Sequence, residues 1–290
     1  MPVHPPSPCL PSVRQANPHM VFGDSNSWGW VPNPNPPSVR YPVDSRWPGV
    51  LQKELGSDYE VIEEALNGRT TDAYDDSLAG AGLNGAEYLP AAIASHHPLD
   101  LVIIMLGTND LKPVYKRTPQ RIAMGAAHLV DIVNSINGGI GTSYPSPKVL
   151  LVCPAPLDPK IEQGPVFGEM FKGGLEKSKQ LPELYKSAAQ AGGAAFFDAG
   201  SVVNTDGVDG LHLSADAQKK LGQAVAAKVK ELKKIANLIS VTSNFFRSIL
   251  ILLDKPLDFS SHWLRLIGNS TTTRSRSSPK SLKGRSSSAE

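Results

Sequence analysis

Five short runs recur along the chain: HMVFGD at 19–24, YEVIEEA at 59–65, DLVIIMLG at 100–107, KVLLVCPA at 148–155 and AAFFDAG at 194–200. The third is apolar without a break over LVIIML, which suits a parallel strand covered by helices on both faces. Stretches near 46–56, 86–97, 118–137, 175–191 and 214–236 read as those helices, the last opening at Ser214 with Asp216 in its first turn. The alternation is that of a βαβ series. It predicts an α/β fold of three layers, αβα, around a flavodoxin-like, doubly wound parallel sheet of about five strands.

At 290 residues and 40% hydrophobic content the chain has enough apolar side chains for a large single core. Lys and Arg total 29 against 27 Asp and Glu, so nothing global argues for a nucleic-acid partner. Cys9 and Cys153 stand far apart, which supports neither a disulfide framework nor a zinc motif, and no histidine has metal-ligand spacing. Neither a metal nor another cofactor is expected.

Composition shifts at both ends. Residues 1–18 are proline-rich and lack the apolar core of a signal peptide, so they read as an unstructured leader. Residues 238–268 are patchily apolar, and their longest run, in FFRSILILLDKP, is too short to span a bilayer and is stopped by Asp254 and Pro256. The final stretch, with Arg274, Arg276, Lys280, Lys283 and Arg285 among serines, reads as a disordered tail that adds weak membrane contact. The domain expected between these ends covers 19–237. A cytoplasmic location follows as an expectation.

In such a sheet, ligands bind beyond the carboxyl ends of the strands, so residues for chemistry belong just after them. After the first run comes GDSNS, after the second LNGRTT, after the third GTND, and after the fifth DGVDGLH. All four fall at one sheet edge. The fourth strand leads instead into a long Pro/Gly-rich excursion at 154–174, suited to walling a pocket or making an oligomer contact. Each cluster also has a plain reading: Ser25 and Asp209 as turn formers, His212 as a helix-entry residue, Asn109 and Asp110 as caps, Gly68 as a turn glycine. Their joint occurrence in order favours chemistry.

These four blocks, GDSN with Ser25, NGRT with Gly68, GTND with Asn109 and DGLH with Asp209 and His212, resemble those of the SGNH, or GDSL-type, esterases and lipases. Within that superfamily the chain is most similar to the bacterial arylesterase/acyltransferase (perhydrolase) subgroup, through WGWVP, LNGAEYLP, PLDLVIIMLGTND, GGIGTSYPSPKVLLV and FFDAGSVVNTDGVDGLH. The resemblance covers roughly 19–234. Two departures stand out: the family usually carries Leu and then a hydroxyl residue after the nucleophile, where this chain has Asn26 and Ser27, and the subgroup tends to carry Ser-Ala where this chain has Asn67 and Gly68.

The resemblance implies a serine esterase for small acyl or aryl esters, with water or an alcohol as acceptor and transfer to alcohols or peroxide competing with hydrolysis. A serine hydroxyl is a poor nucleophile at neutral pH, so a base must take its proton as it attacks. His212 fills that role for Ser25, with Asp209 as the supporting carboxylate. The oxyanion donors implied are the backbone N–H groups of Ser25 and Gly68 and the side-chain amide of Asn109. Asn26 and Trp28 are expected to line the substrate pocket, and Asp24 to anchor the nucleophile segment. A homo-oligomer is implied too. A carbohydrate O-deacetylase is the alternative enzyme; a nucleotide-binding module, lacking a glycine-rich phosphate loop after strand one, and a membrane-surface interaction protein are the alternatives outside enzymes.

Overall fold

The structure is a computed structural model that describes residues 16–74 and 82–253, apart from the side chains of 240 and 243–253. The leader up to residue 15 and the basic tail from 254 onwards lie outside the described residues.

Five parallel strands form one sheet in the order β2-β1-β3-β4-β5: β1 (Asn17–Gly23), β2 (Tyr59–Ala65), β3 (Leu101–Met105), β4 (Lys148–Cys153) and β5 (Ala195–Asp198). The central strand β1 pairs with β2 through Asn17↔Tyr59 to Gly23↔Ala65 and with β3 through His19↔Leu101 to Gly23↔Met105. The chain therefore leaves β1 in one direction across the sheet and returns on its other side. The β1/β3 boundary is the switch point at which such folds open a crevice.

Among the described residues eight α-helices accompany the strands: α1 (Ser25–Trp28), α2 (Trp47–Leu55), α3 (Gly85–His96), α4 (Pro119–Ser135), α5 (Phe167–Met170), α6 (Gly174–Ser178), α7 (Leu181–Ala191) and α8 (Ala215–Leu253). Alternation along the strands sorts the core into two layers. Met20, Phe22, Val102, Ile104, Val149 and Leu151 face α3, α4 and α7; Val21, Leu101, Ile103, Leu150 and Val152 face α2 and α8. On α8 the buried set Ala217, Leu221, Val225 and Val229 recurs every fourth residue and covers the second face. All five residues of β3 are buried because helices cover both faces of the sheet, which accounts for its unbroken apolar run.

The structure departs from the sequence expectations at four places. Strand β1 starts at Asn17, two residues inside the assigned leader, because Asn17 and Pro18 extend the ladder with Tyr59 and Glu60. The segment after β1, where Ser25 also reads as a turn former, is one turn of α-helix, capped at Asp24 and closed at Gly29 in the left-handed region. The helix expected over 175–191 is broken into α6 and α7, since Pro182 cannot donate to residue 178 and its ring excludes a continuous helix there. Finally α8 runs past 236 to Leu253.

The chain divides into two units, Met1–Ala236 and Asn237–Glu290. In the second, Leu238, Ile239 and Val241 are exposed on α8. No helix among the described residues is long and apolar enough to cross a membrane.

Candidate active site

The nucleophile candidate is built by the β1–α1 junction. Gly23 ends the strand, and a Cβ there would sit 2.2 Å from the Ser27 Oγ, so only glycine lets the helix start this close to the sheet. Asp24 caps the turn by accepting the Asn26 N–H at 3.0 Å, and its own carbonyl accepts from Ser27 and Trp28. Ser25 is thus held as the first residue of α1, at the carboxyl edge of the central strand. Its Oγ lies 3.1 Å from Nε2 of His212.

The ring of His212 is held from behind. Its Nδ1 donates to Oδ2 of Asp209 at 2.8 Å, and the backbone N–H groups of Leu211 and His212 both donate to Oδ1 of the same carboxylate. Asn33 adds a backbone N–H to Oδ2 at 3.0 Å. Burial works against the Asp209 anion, but the hydrogen bond and charge of His212 and the backbone donors outweigh it, and its pKa lies below the ordinary value. The carboxylate therefore stays ionised and fixes the proton on Nδ1, leaving Nε2 as the acceptor facing Ser25. Asn33 escaped sequence reasoning because it contributes through its backbone, which carries no residue-type signal.

Gly68 and Asn109 flank this pair. Gly68 has φ +84, a conformation open chiefly to glycine, while a Cβ would meet only Leu83 methyls at ordinary distance. Backbone conformation within the chain, beyond any approach to a ligand, thus requires glycine. The Leu66 N–H donates to the Gly23 carbonyl at 3.1 Å, and the Asn109 amide donates to the Arg69 carbonyl at 3.1 Å, so the Gly68 loop is tied to both neighbouring blocks. The N–H groups of Ser25 and Gly68 make no hydrogen bond within the described residues.

Two buried charges brace this loop. Arg69 bonds the carbonyls of Gly23 and Glu64, at the ends of β1 and β2, and stacks under Phe22 and Tyr88. Asp110, fully buried, accepts from the backbone and hydroxyl of Thr71 at 2.9 and 2.6 Å and from Arg117 at 3.1 Å. Arg117 also pairs with Asp72, which Arg121 holds from outside at 2.9 Å. Asp110 therefore clamps the NGRT segment to GTND. Its structural role was legible in the sequence only as a cap.

Around His212 stand Trp30, stacked at 5.3 Å between ring centroids, and Phe167 from α5, edge-on at 5.7 Å. Trp28 lies beneath the Arg40 guanidinium at 5.1 Å and beside Trp30. Asn26 lines a small cavity with Met105, Pro154 and Leu213. It is 5% exposed, and its amide is spent on the chain itself, donating to the Leu211 carbonyl at 3.3 Å and accepting from the Leu213 N–H at 3.1 Å. No group of three or more His, Cys, Asp or Glu side chains among the described residues is arranged to hold a metal ion.

Asp24 carries a consequence for stability. Burial, reinforced by the Asp110 charge, pushes its carboxyl up to about 7 against the pull of the Asn26 N–H, and its Oδ2 has no hydrogen-bond partner among the described residues. Below the unfolded-state value of 3.8 both states are protonated; between there and about 7 only the unfolded state ionises. Stability from this site is thus lost as pH rises through that window, at up to about 1.4 kcal/mol per unit. Asp24→Asn keeps the cap and removes the titration. The melting temperature of Asp24→Asn minus that of the wild type is expected to increase by several degrees across the window and then level off; a constant difference would refute the assignment.

A family model for the GDSL-like lipase/acylhydrolase family matches residues 21–220. No curated protein matches the chain. Among solved structures, Est24, a carbohydrate acetylesterase from Sinorhizobium meliloti, is similar at 51% identity over 74% of this chain and 99% of that one, with a TM-score of 0.71. The native M. smegmatis aryl esterase is similar at 49% identity over 75% of this chain and 100% of that one, TM-score 0.72. A further carbohydrate acetylesterase family member from Sinorhizobium meliloti shares 40% identity over 74% and 98% of the two chains, TM-score 0.68. With a family model spanning most of the sheet domain and relatives matched over nearly their full length, the chain belongs to the GDSL-like lipase/acylhydrolase family.

Proposed function

We propose that the protein hydrolyses small acyl and aryl esters through an acyl-Ser25 intermediate. The observation that carries this reading is the buried relay Ser25 Oγ, His212 Nε2 and Nδ1, Asp209 Oδ2, at 3.1 and 2.8 Å. As Ser25 attacks the ester carbonyl, its proton passes to Nε2, and Asp209 stabilises the imidazolium that forms. The carbonyl oxygen becomes an oxyanion, for which the Ser25 and Gly68 N–H groups and the Asn109 amide are the donors. Collapse breaks the ester C–O bond, and His212 returns the proton to the leaving alcohol. Water, activated by the same base, releases the acid; an alcohol in its place gives a new ester.

Aromatic faces at His212 favour aryl and other apolar leaving groups, because Trp30 and Phe167 offer them stacking surface. A second reading, removal of acetyl groups from carbohydrates, is favoured by the 51% identity to a carbohydrate acetylesterase. Phe167 belongs to the 154–174 excursion, to which we assign a homo-oligomer contact that narrows access to the site. Exposed Leu238, Ile239 and Val241 support weak membrane contact through the C-terminal segment.

Initial rates on phenyl acetate and on an acetylated monosaccharide separate the two enzyme readings. The aryl ester is expected to have the higher kcat/KM, by about tenfold or more. A preference for the sugar acetate would install the second reading, and no turnover of either by folded protein would overturn both.

A further inference from the structure

We propose that Asn26 is a positioning residue: its side-chain amide clasps the two residues on either side of His212 and so sets the base against Ser25. The inference rests on the reading of Ser25 and His212 given above. The amide donates to the carbonyl of Leu211 and accepts from the N–H of Leu213, across 185 and 187 residues of sequence. Only this orientation of the amide satisfies both groups, since Leu211 presents an oxygen and Leu213 a hydrogen. Most other ties of the His212 segment are local: Leu211 and His212 donate to Asp209, the His212 carbonyl accepts from Gly207, and Ser214 donates to Asp206, while Asn33 and Asp158 reach Asp209 and Gly210 from other loops. The Asn26 amide ties the backbone of that segment to the helix that carries the nucleophile.

The backbone of Asn26 is fixed in turn. Its N–H goes to Asp24 at 3.0 Å and its carbonyl accepts from Gln218 on α8 at 3.0 Å, while Gln218 takes the Trp47 N–H at 2.8 Å. A rigid anchor therefore stands one residue from Ser25. It acts through the backbone of the base segment and touches no reacting atom. An apolar side chain at 26 would fill the space but leave the Leu211 carbonyl and Leu213 N–H buried without partners, so the segment would shift to find others. Leu is close to Asn in size and lacks the amide, so Asn26→Leu is a fair test: a chain indifferent to the amide would accept it.

The test compares wild type, Asn26→Leu and Asn26→Ser, with Ser25→Ala as the blank, on phenyl acetate and on a fluorophosphonate probe. We expect Asn26→Leu to lower kcat by about ten- to a hundredfold, the scale on which misplacing a catalytic group acts. KM should stay within about twofold, and the rate of phosphonylation of Ser25 should fall by the same factor as kcat. Asn26→Ser, too short to reach both groups, should show the same split and serves if Asn26→Leu does not fold. A lower melting temperature with kcat and labelling rate per folded molecule unchanged would reduce Asn26 to a stabilising residue and overturn the proposal. Activity surviving in Ser25→Ala would instead sink the reading on which the proposal rests.

Discussion

Ser25→Ala is expected to lose about four to six orders of magnitude in kcat, the cost seen when a serine nucleophile is removed from a Ser-His-Asp set. Labelling by a fluorophosphonate should vanish with it. The folded state should survive, because among the described residues the Ser25 hydroxyl hydrogen-bonds Nε2 of His212 and no other group, so circular dichroism of the variant should overlay that of wild type. No neighbour can substitute: Ser27 is fully buried with its hydroxyl behind Gly23, away from the base. The same logic extends to a double variant. Since nucleophile and base act as one unit, Ser25→Ala/His212→Ala should be no slower than either single variant. Labelling of Ser25→Ala at the wild-type rate would show that the nucleophile lies elsewhere.

That expectation depends on features of quite different legibility in the sequence. The strands announce themselves because burial on both faces demands continuous apolar runs, and the site residues because they follow those runs as small polar clusters. The blocks GDSNS, LNGRTT, GTND and DGVDGLH could be picked out on that basis, the roles of Ser25, Gly68, Asn109, Asp209 and His212 within them came with the family resemblance, and the structure sets Ser25, His212 and Asp209 in hydrogen-bonded sequence. What stays hidden is whatever depends on long-range partners. Nothing in the sequence links Asn26 to Leu211 and Leu213, which use its amide. The same limit applies to Phe167, whose place beside His212 is set by the path of the excursion, and to Trp30, which stacks on the base while its neighbour Trp28 goes to Arg40. The break between α6 and α7 was readable in principle, since Pro182 marks it.

Asn109→Ala should lower kcat by about two to three orders of magnitude, equivalent to roughly 2.7 to 4 kcal/mol of barrier, while leaving KM nearly unchanged. The asymmetry follows from when the interaction is made. An amide aimed at the developing oxyanion gains most as charge builds on that oxygen, so its removal raises the transition state more than the bound ester. The Asn109 amide is prepared for this: one hydrogen is committed to the Arg69 carbonyl at 3.1 Å, which fixes the plane of the group and leaves the second hydrogen to donate. Asp110, next in sequence, holds the backbone of this turn to Thr71, so the donor and the Gly68 loop are kept in register before substrate arrives. Asn109→Asp should do worse than Asn109→Ala, because it replaces the donor with a negative charge facing a negative charge. A boronic acid that forms a tetrahedral adduct with Ser25 should lose affinity in parallel with kcat across these variants, whereas a neutral substrate analogue should not. If instead KM rose with kcat unchanged, Asn109 would be a residue that binds the ester equally in both states, and the oxyanion site would have to be assigned to the backbone donors alone.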